Sequence, residues 1–207
     1  MSESDNDSIQ SVTESLSDEL FTCCCTSGTF SEEGLREIIE HGLTPNSNHL
    51  SNYQFFRAAC CNKNVTEGII QSLLEYFPDA ASDTDENGLL ALHCACLNKN
   101  MTLNIVQLLV DAAPDSVRRE DNDGMMPLHF LCSNREVDEI RASEILKLLL
   151  EKYPESIRHQ NNNGLLPIHA ASMMSRSPEF CRLLVAAYPG SERIADAGER
   201  FLFILHV

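Results

Sequence analysis

Gly124-Met125-Met126-Pro127-Leu128-His129-Phe130-Leu131-Cys132 is the stretch that decides the fold, because the chain carries it three times. It returns as Gly88-Leu89-Leu90-Ala91-Leu92-His93-Cys94-Ala95-Cys96 and as Gly164-Leu165-Leu166-Pro167-Ile168-His169-Ala170-Ala171-Ser172. The three histidines lie 36 and 40 residues apart. An apolar stretch closed by proline follows each copy, at Gln107–Pro114, Lys147–Pro154 and Arg182–Pro189. An earlier copy lacks the glycine and histidine but keeps the rest: Phe56–Cys60 precedes Gln71–Pro78, and Asn62-Lys63-Asn64 recurs as Asn98-Lys99-Asn100. A weaker copy runs from Phe21 to Gly42, with Cys25 set 35 residues before Cys60. A fixed period of this size marks a repeat array. Five units are legible.

Each unit reads as two short helices and a polar link. The second helix opens on a residue whose hydroxyl accepts from the orphan N–H groups of its first turn: Ser31, Thr66, Thr102, Ser143 and Ser177. Apolar residues then recur at helical spacing, as in Ile105, Val106, Leu108 and Leu109. Pro78, Pro114, Pro154 and Pro189 stop it, since the residue before a proline is pushed out of the α region. The first helix begins near the Pro-Leu-His stretch and is rich in alanine. Links at Ser82–Gly88, Glu120–Gly124 and His159–Gly164 combine Asp and Asn with a closing glycine, a turn signal. Such a unit cannot bury its apolar face alone, so neighbours must stack. The paired leucines (Leu73-Leu74, Leu108-Leu109, Leu148-Leu149, Leu183-Leu184) are expected to supply the core, each contributing ~1.5–3 kcal/mol on full burial.

Charge narrows the class of partner. The 207 residues hold 31 acids against 15 bases, a net charge of -16. Nucleic acid and anionic membrane surfaces reward Lys and Arg, so neither is expected as a partner. No apolar run approaches the ~20 residues of a membrane span. The first twenty residues carry six acids and no base, which is expected of an acidic, disordered tail and not of a secretory signal. Nine cysteines in such a chain point to reduced thiols and a cytoplasmic or nuclear location.

The unit resembles the ankyrin repeat. The family pattern Gly-x-Thr-Pro-Leu-His is nearly complete at Gly124, Pro127, Leu128 and His129, and at Gly164, Pro167, Ile168 and His169. At Gly88–His93 alanine holds the proline position, and Leu90, Met126 and Leu166 stand where the family has threonine. The resemblance implies an all-α solenoid of about five helix-turn-helix repeats with β-turn links. It spans residues 18–190, between an acidic tail at 1–17 and an incomplete final repeat at 191–207. It implies that the motif histidine is structural, bonding backbone between adjacent turns, and that apolar packing replaces the threonine hydroxyl. It also implies a non-enzymatic protein-protein interaction scaffold with no cofactor. The binding face would then be the turn tips and exposed sides of the first helices: Glu86, Asn87, Leu89, Leu97 and Asn98; Asn122, Asp123, Met125, Ser133 and Asn134; Asn162, Asn163, Leu165, Met173 and Met174. The acids spread over the turns favour another protein with a basic surface as partner.

A competing reading is a thiol-based redox or metal-binding protein on the same fold. His93 beside Cys94 and Cys96 looks like half a zinc site, but no second ligand pair has a spacing that closes a tetrahedron. Cys25, Cys60, Cys96 and Cys132 are expected to share one inward repeat position as small apolar filler, leaving Cys61 as the exposed thiol. No phosphate loop, nucleophile elbow or His-Glu-x-x-His motif is present. The fourth unit is four residues longer than the 36-residue unit, with the excess in Asn134–Ala142. An extended loop or an extra helical turn is expected there, with stacking preserved. The apolar Phe201–Leu205 would either fold back over the fifth repeat as a cap or belong to a broken-off sixth unit.

Overall fold

Short helices need partners at both ends, because the first four N–H groups and last four C=O groups of each have no partner within the helix. The computed structural model describes residues 16–26, 30–42 and 53–195, and shows how the repeat answers this need. Among these residues the chain forms five helix pairs: α1 (16–25) with α2 (Glu32–Gly42), α3 (Gln54–Cys61) with α4 (Glu67–Tyr76), α5 (Ala91–Leu97) with α6 (Leu103–Ala112), α7 (Pro127–Ser133) with α8 (Glu139–Lys152), and α9 (Pro167–Met173) with α10 (Pro178–Ala187). First helices stack on first helices and second on second, so one apolar core runs the length of the array. Residue 16 is already helical and Leu16 is buried, so the first unit starts before the expected boundary at 18. The tail up to residue 15 and residues 196–207, with the Phe201–Leu205 strip, lie outside the described residues.

The expected caps are present with one exception. Thr66, Thr102 and Ser177 accept from the N–H groups of Ile69, Ile105 and Phe180, and Ser31 from that of Gly34. Ser143, however, lies inside α8 and bonds the Glu139 carbonyl. Asp138 is the cap instead, its carboxylate accepting from Ile140 and Arg141. The four extra residues therefore add a turn to the N-terminal end of α8, and stacking on both sides survives. After each proline the chain makes a 3₁₀ turn, at Pro78–Ala81, Pro114–Arg118 and Pro154–Arg158. Ser191–Arg193 closes the fifth unit in the same place, so the described part of 191–207 belongs to that unit.

Of each leucine pair, only one member fills the deepest position: Leu73, Leu109, Leu149 and Leu184. Adjacent helical residues point about 100° apart, so Leu74 and Leu108 are half-buried and Leu183 is exposed. The register thus pairs Leu73 with Leu109, not with Leu108.

Buried side chains tie the units together at the ends of the first helices. The Asn62 amide donates to the Cys24 carbonyl at 2.7 Å. Asn98 donates to the carbonyls of Cys60 and Asn62 at 2.9 and 2.8 Å, and Asn134 to that of Cys96 at 3.0 Å. Each asparagine's Oδ1 accepts a backbone N–H two residues on, at Asn64, Asn100 and Glu136. Asn62, Asn98 and Asn134, with Cys24, Cys60 and Cys96, are each less than a tenth exposed. The ladder also corrects the cysteine register: the carbonyls it selects belong to Cys24, Cys60 and Cys96, so Cys24 and not Cys25 is the equivalent of Cys60. Cys25 and Cys61 both face solvent. In the fifth unit Arg176 takes over the ladder, donating to the Asn134 carbonyl while its guanidinium lies over the Phe180 ring, 4.1 Å from the centroid.

Asn98→Ala removes three hydrogen bonds and takes the side-chain donor from the buried Cys60 carbonyl, while the Asn62 carbonyl keeps the Val65 N–H, so it should lower unfolding free energy by about 2 kcal/mol, whereas the exposed Asn100→Ala should cost under about 1 kcal/mol; urea titration of both variants checks this. Asp138→Ala should cost about 1 kcal/mol by the same measurement, and Ser143→Ala much less.

Candidate partner-binding surface

The links between units fold as tight turns with a common design. In each, one acid or amide accepts two backbone N–H groups: Asp85 from Asn87 and Leu89, Asp121 from Asp123 and Met125, Asn161 from Asn163 and Leu165. Gly88, Gly124 and Gly164 close the turns with φ of 79°, 74° and 72°. At Gly124 a side chain is also excluded by space, since a Cβ would stand 2.9 Å from the Asn162 backbone nitrogen. Consecutive turns are stitched together. The Asn122 N–H donates to the Asn87 carbonyl at 2.8 Å and the Asn162 N–H to that of Asp123 at 3.0 Å. Their side-chain amides reach back to the carbonyls of Glu86 and Asn122.

Behind the turns, the motif histidine does two jobs. Nδ1 of His93, His129 and His169 accepts the N–H of Leu90, Met126 and Leu166, the residue just before each first helix. Nε2–H donates to the carbonyls of Arg119, Leu165 and Ile194, in the link that follows. Leu90, Met126 and Leu166 are buried, so apolar packing does replace the hydroxyl. Arg57 stands where the second unit lacks its histidine. It is 7% exposed, and its guanidinium pairs with Asp83 at 2.6 Å, making the same connection to the following link. Burial lowers the pKa of His93, and it lowers that of His129 to about 4, with the neighbouring His159 adding to the effect.

Leu89, Met125 and Leu165 line up along the turns, each half-buried. With Phe130 from α7 they line an open groove of about 590 Å³, walled by Asp121, Asp123, Asn87, Asn122, Asn161 and Asn163. The lining holds two carboxylates and no base. Of the other residues expected on this face, Glu86 and Asn162 are exposed at the turn tips, Ser133 is half-buried, and Leu97, Met173 and Met174 project from the ends of α5 and α9. Asn98 and Asn134 do not belong to it. Both are buried in the ladder, because the polar residue after each first helix is consumed by its neighbour's carbonyls. Phe130 is the residue that sequence reasoning missed. It follows the motif histidine on the outward side of α7 and packs edge-on against His93, 5.1 Å between ring centroids. Cys94 and Ala170 hold its place in the adjoining units, so no recurrence drew attention to it.

The paired helices, stitched turns and histidine bridges define a helical repeat solenoid. A family model described as ankyrin repeats, in three copies, matches residues 55–152 and 102–194. The chain belongs to the ankyrin-repeat family. No curated protein matches it. Among the described residues, no group of three His, Cys, Asp or Glu side chains comes together to hold a metal, and no helix is long and apolar enough to cross a membrane.

Buried His93 and His129 make folding pH-dependent. They stay neutral in the fold and become charged in the unfolded chain below about pH 6.5. Their contribution is complete above that value and is lost as pH falls toward about 4. Urea midpoints should therefore hold steady from pH 8 to 7 and decline between pH 6.5 and 4, with a shallower decline in His129→Gln.

Proposed function

We propose that this chain is a non-enzymatic scaffold that holds a partner protein along its turn tips and first-helix face. The repeat domain, residues 18–190 extended to include the helix from 16, is the binding module. The observation that carries the reading is the groove itself: Leu89, Met125, Leu165 and Phe130 form a continuous apolar strip inside a rim of acids and amides. Interfaces have this make-up, an apolar centre excluding water and a polar rim that sets specificity. Ankyrin repeats are generally protein-interaction modules, which supports the class of function without naming a partner.

Charge describes the complementary surface. Asp121 and Asp123 on the groove wall, Glu86 beside it and the net charge of -16 favour a partner segment with apolar side chains flanked by Lys or Arg. Such a partner gains most of its affinity from the buried strip and most of its association rate from the field. Nine cysteines in a chain of this size favour a reducing compartment, cytoplasm or nucleus.

Met125→Glu with Leu165→Glu should abolish binding of a partner recovered from native tissue while the far-ultraviolet circular dichroism stays unchanged. Retained binding with both glutamates in place would exclude this face. Association of the unchanged chain should slow as ionic strength rises.

A further inference from the structure

The cysteines divide by position. Cys24, Cys60, Cys96 and Cys132 occupy the buried ladder position, where burial pushes the thiols up, that of Cys96 to about 12. Those thiols are filler. Cys61 and Cys94 are different, because they come from two neighbouring units and meet at the α3–α5 contact. The Asn98 amide binds the carbonyls of both Cys60 and Asn62, fastening the end of α5 on either side of Cys61. Cys94 lies one helical turn before Asn98, on the same face of α5. Cys61 is exposed and Cys94 half-buried. The Cys94 thiol, as hydrogen-bond donor, draws the Cys61 pKa below its ordinary value, while that interaction and burial hold its own well above.

The pairing is particular to this junction. In the repeat register the facing positions are Cys25 and Ala58 one unit earlier, Leu97 and Phe130 one unit later, and Ser133 and Ala170 after that. We propose that Cys61 and Cys94 form a dithiol site that a small disulfide of the glutathione type converts into an intramolecular disulfide, clipping the second unit to the third. Cys61 is the attacking thiol and Cys94 the resolving one.

The exchange balances in two steps. Cys61 releases its proton, and its thiolate attacks one sulfur of the small disulfide. A Cys61–S bond forms, the S–S bond of the reagent breaks, and the leaving thiolate takes up a proton. Cys94 then gives up its proton and its sulfur attacks Sγ of Cys61, forming the internal disulfide and expelling the second thiolate, which is protonated in turn. Two protein thiols are oxidised, and one small disulfide is reduced to two thiols. A lowered thiol pKa beside a second thiol suits this chemistry, since the thiolate is the nucleophile and its neighbour resolves the adduct.

The site also touches the binding face. Cys94 occupies in the third unit the place that Phe130, part of the groove lining, occupies in the fourth. A bulky adduct on Cys61 would thus stand at the N-terminal end of the first-helix face, and resolution to the internal disulfide would clear it.

Equilibration of the full chain with mixtures of reduced and oxidised glutathione, followed by peptide mapping after acid quench, tests the assignment. The expected product is a Cys61–Cys94 link. Cys94→Ser should stop at a mixed disulfide on Cys61, and Cys61→Ser should give neither species. Under iodoacetamide at pH 7 Cys61 should react at least about five times faster than Cys25, which is also exposed. Cys94→Ala should remove that advantage. A persistent Cys61 adduct with Cys94 free in the unchanged chain would overturn the proposal. So would equal alkylation of Cys25 and Cys61. Both readings come from the unmutated protein and do not depend on a variant folding.

Discussion

A seven-residue helix has more unsatisfied backbone groups at its ends than hydrogen bonds in its middle, and α5, α7 and α9 are that short. Their survival depends on polar groups lent by the next unit. At the C-terminal end, a buried asparagine from the following unit takes the orphan carbonyls. At the N-terminal end, the helix's own histidine accepts the cap N–H and passes its second nitrogen to the next link. Neither unit is complete without the other. This reciprocal debt, more than any single apolar contact, sets the rise and register of the stack.

Seen this way, the exceptions obey the same constraint with different chemistry. Arg57 has no imidazole but reaches the following link through a carboxylate, and Arg176 has no amide but reaches the preceding carbonyl through its guanidinium. Both are buried charges, and both are hydrogen-bonded, as burial of an ion requires. With turn backbones stitched to each other and helix ends satisfied internally, Leu89, Met125, Leu165 and Phe130 line the open groove.

Much of this was legible in the chain. The 36-residue period, the Thr and Ser caps, the stopping prolines and the positive-φ glycines are local rules, and the structure obeys them at Thr66, Thr102, Ser177, Pro114 and Gly124. The row Leu89–Met125–Leu165 was legible too, because a residue next to a turn glycine keeps its place whenever the turn repeats. Misplacements came where two candidates stood side by side. Asp138 won over Ser143 because its carboxylate captures two N–H groups at once and lengthens α8 by a turn. Cys24 won over Cys25 because a helix turns about 100° per residue, which carries Cys25 round to the solvent side.

What the sequence by itself determined, then, is the unit: its length, its two helices, its turns and its need to stack, all set by interactions spanning a few residues. What only the tertiary structure decided is how each unit is completed by the next. Asn98 and Asn134 look like free surface amides in the chain, yet they are buried, because their partners lie 38 residues earlier. Cys61 and Cys94 are 33 residues apart and become neighbours only when α5 is laid on α3. Contacts of that range follow from stacking geometry, which no local pattern encodes.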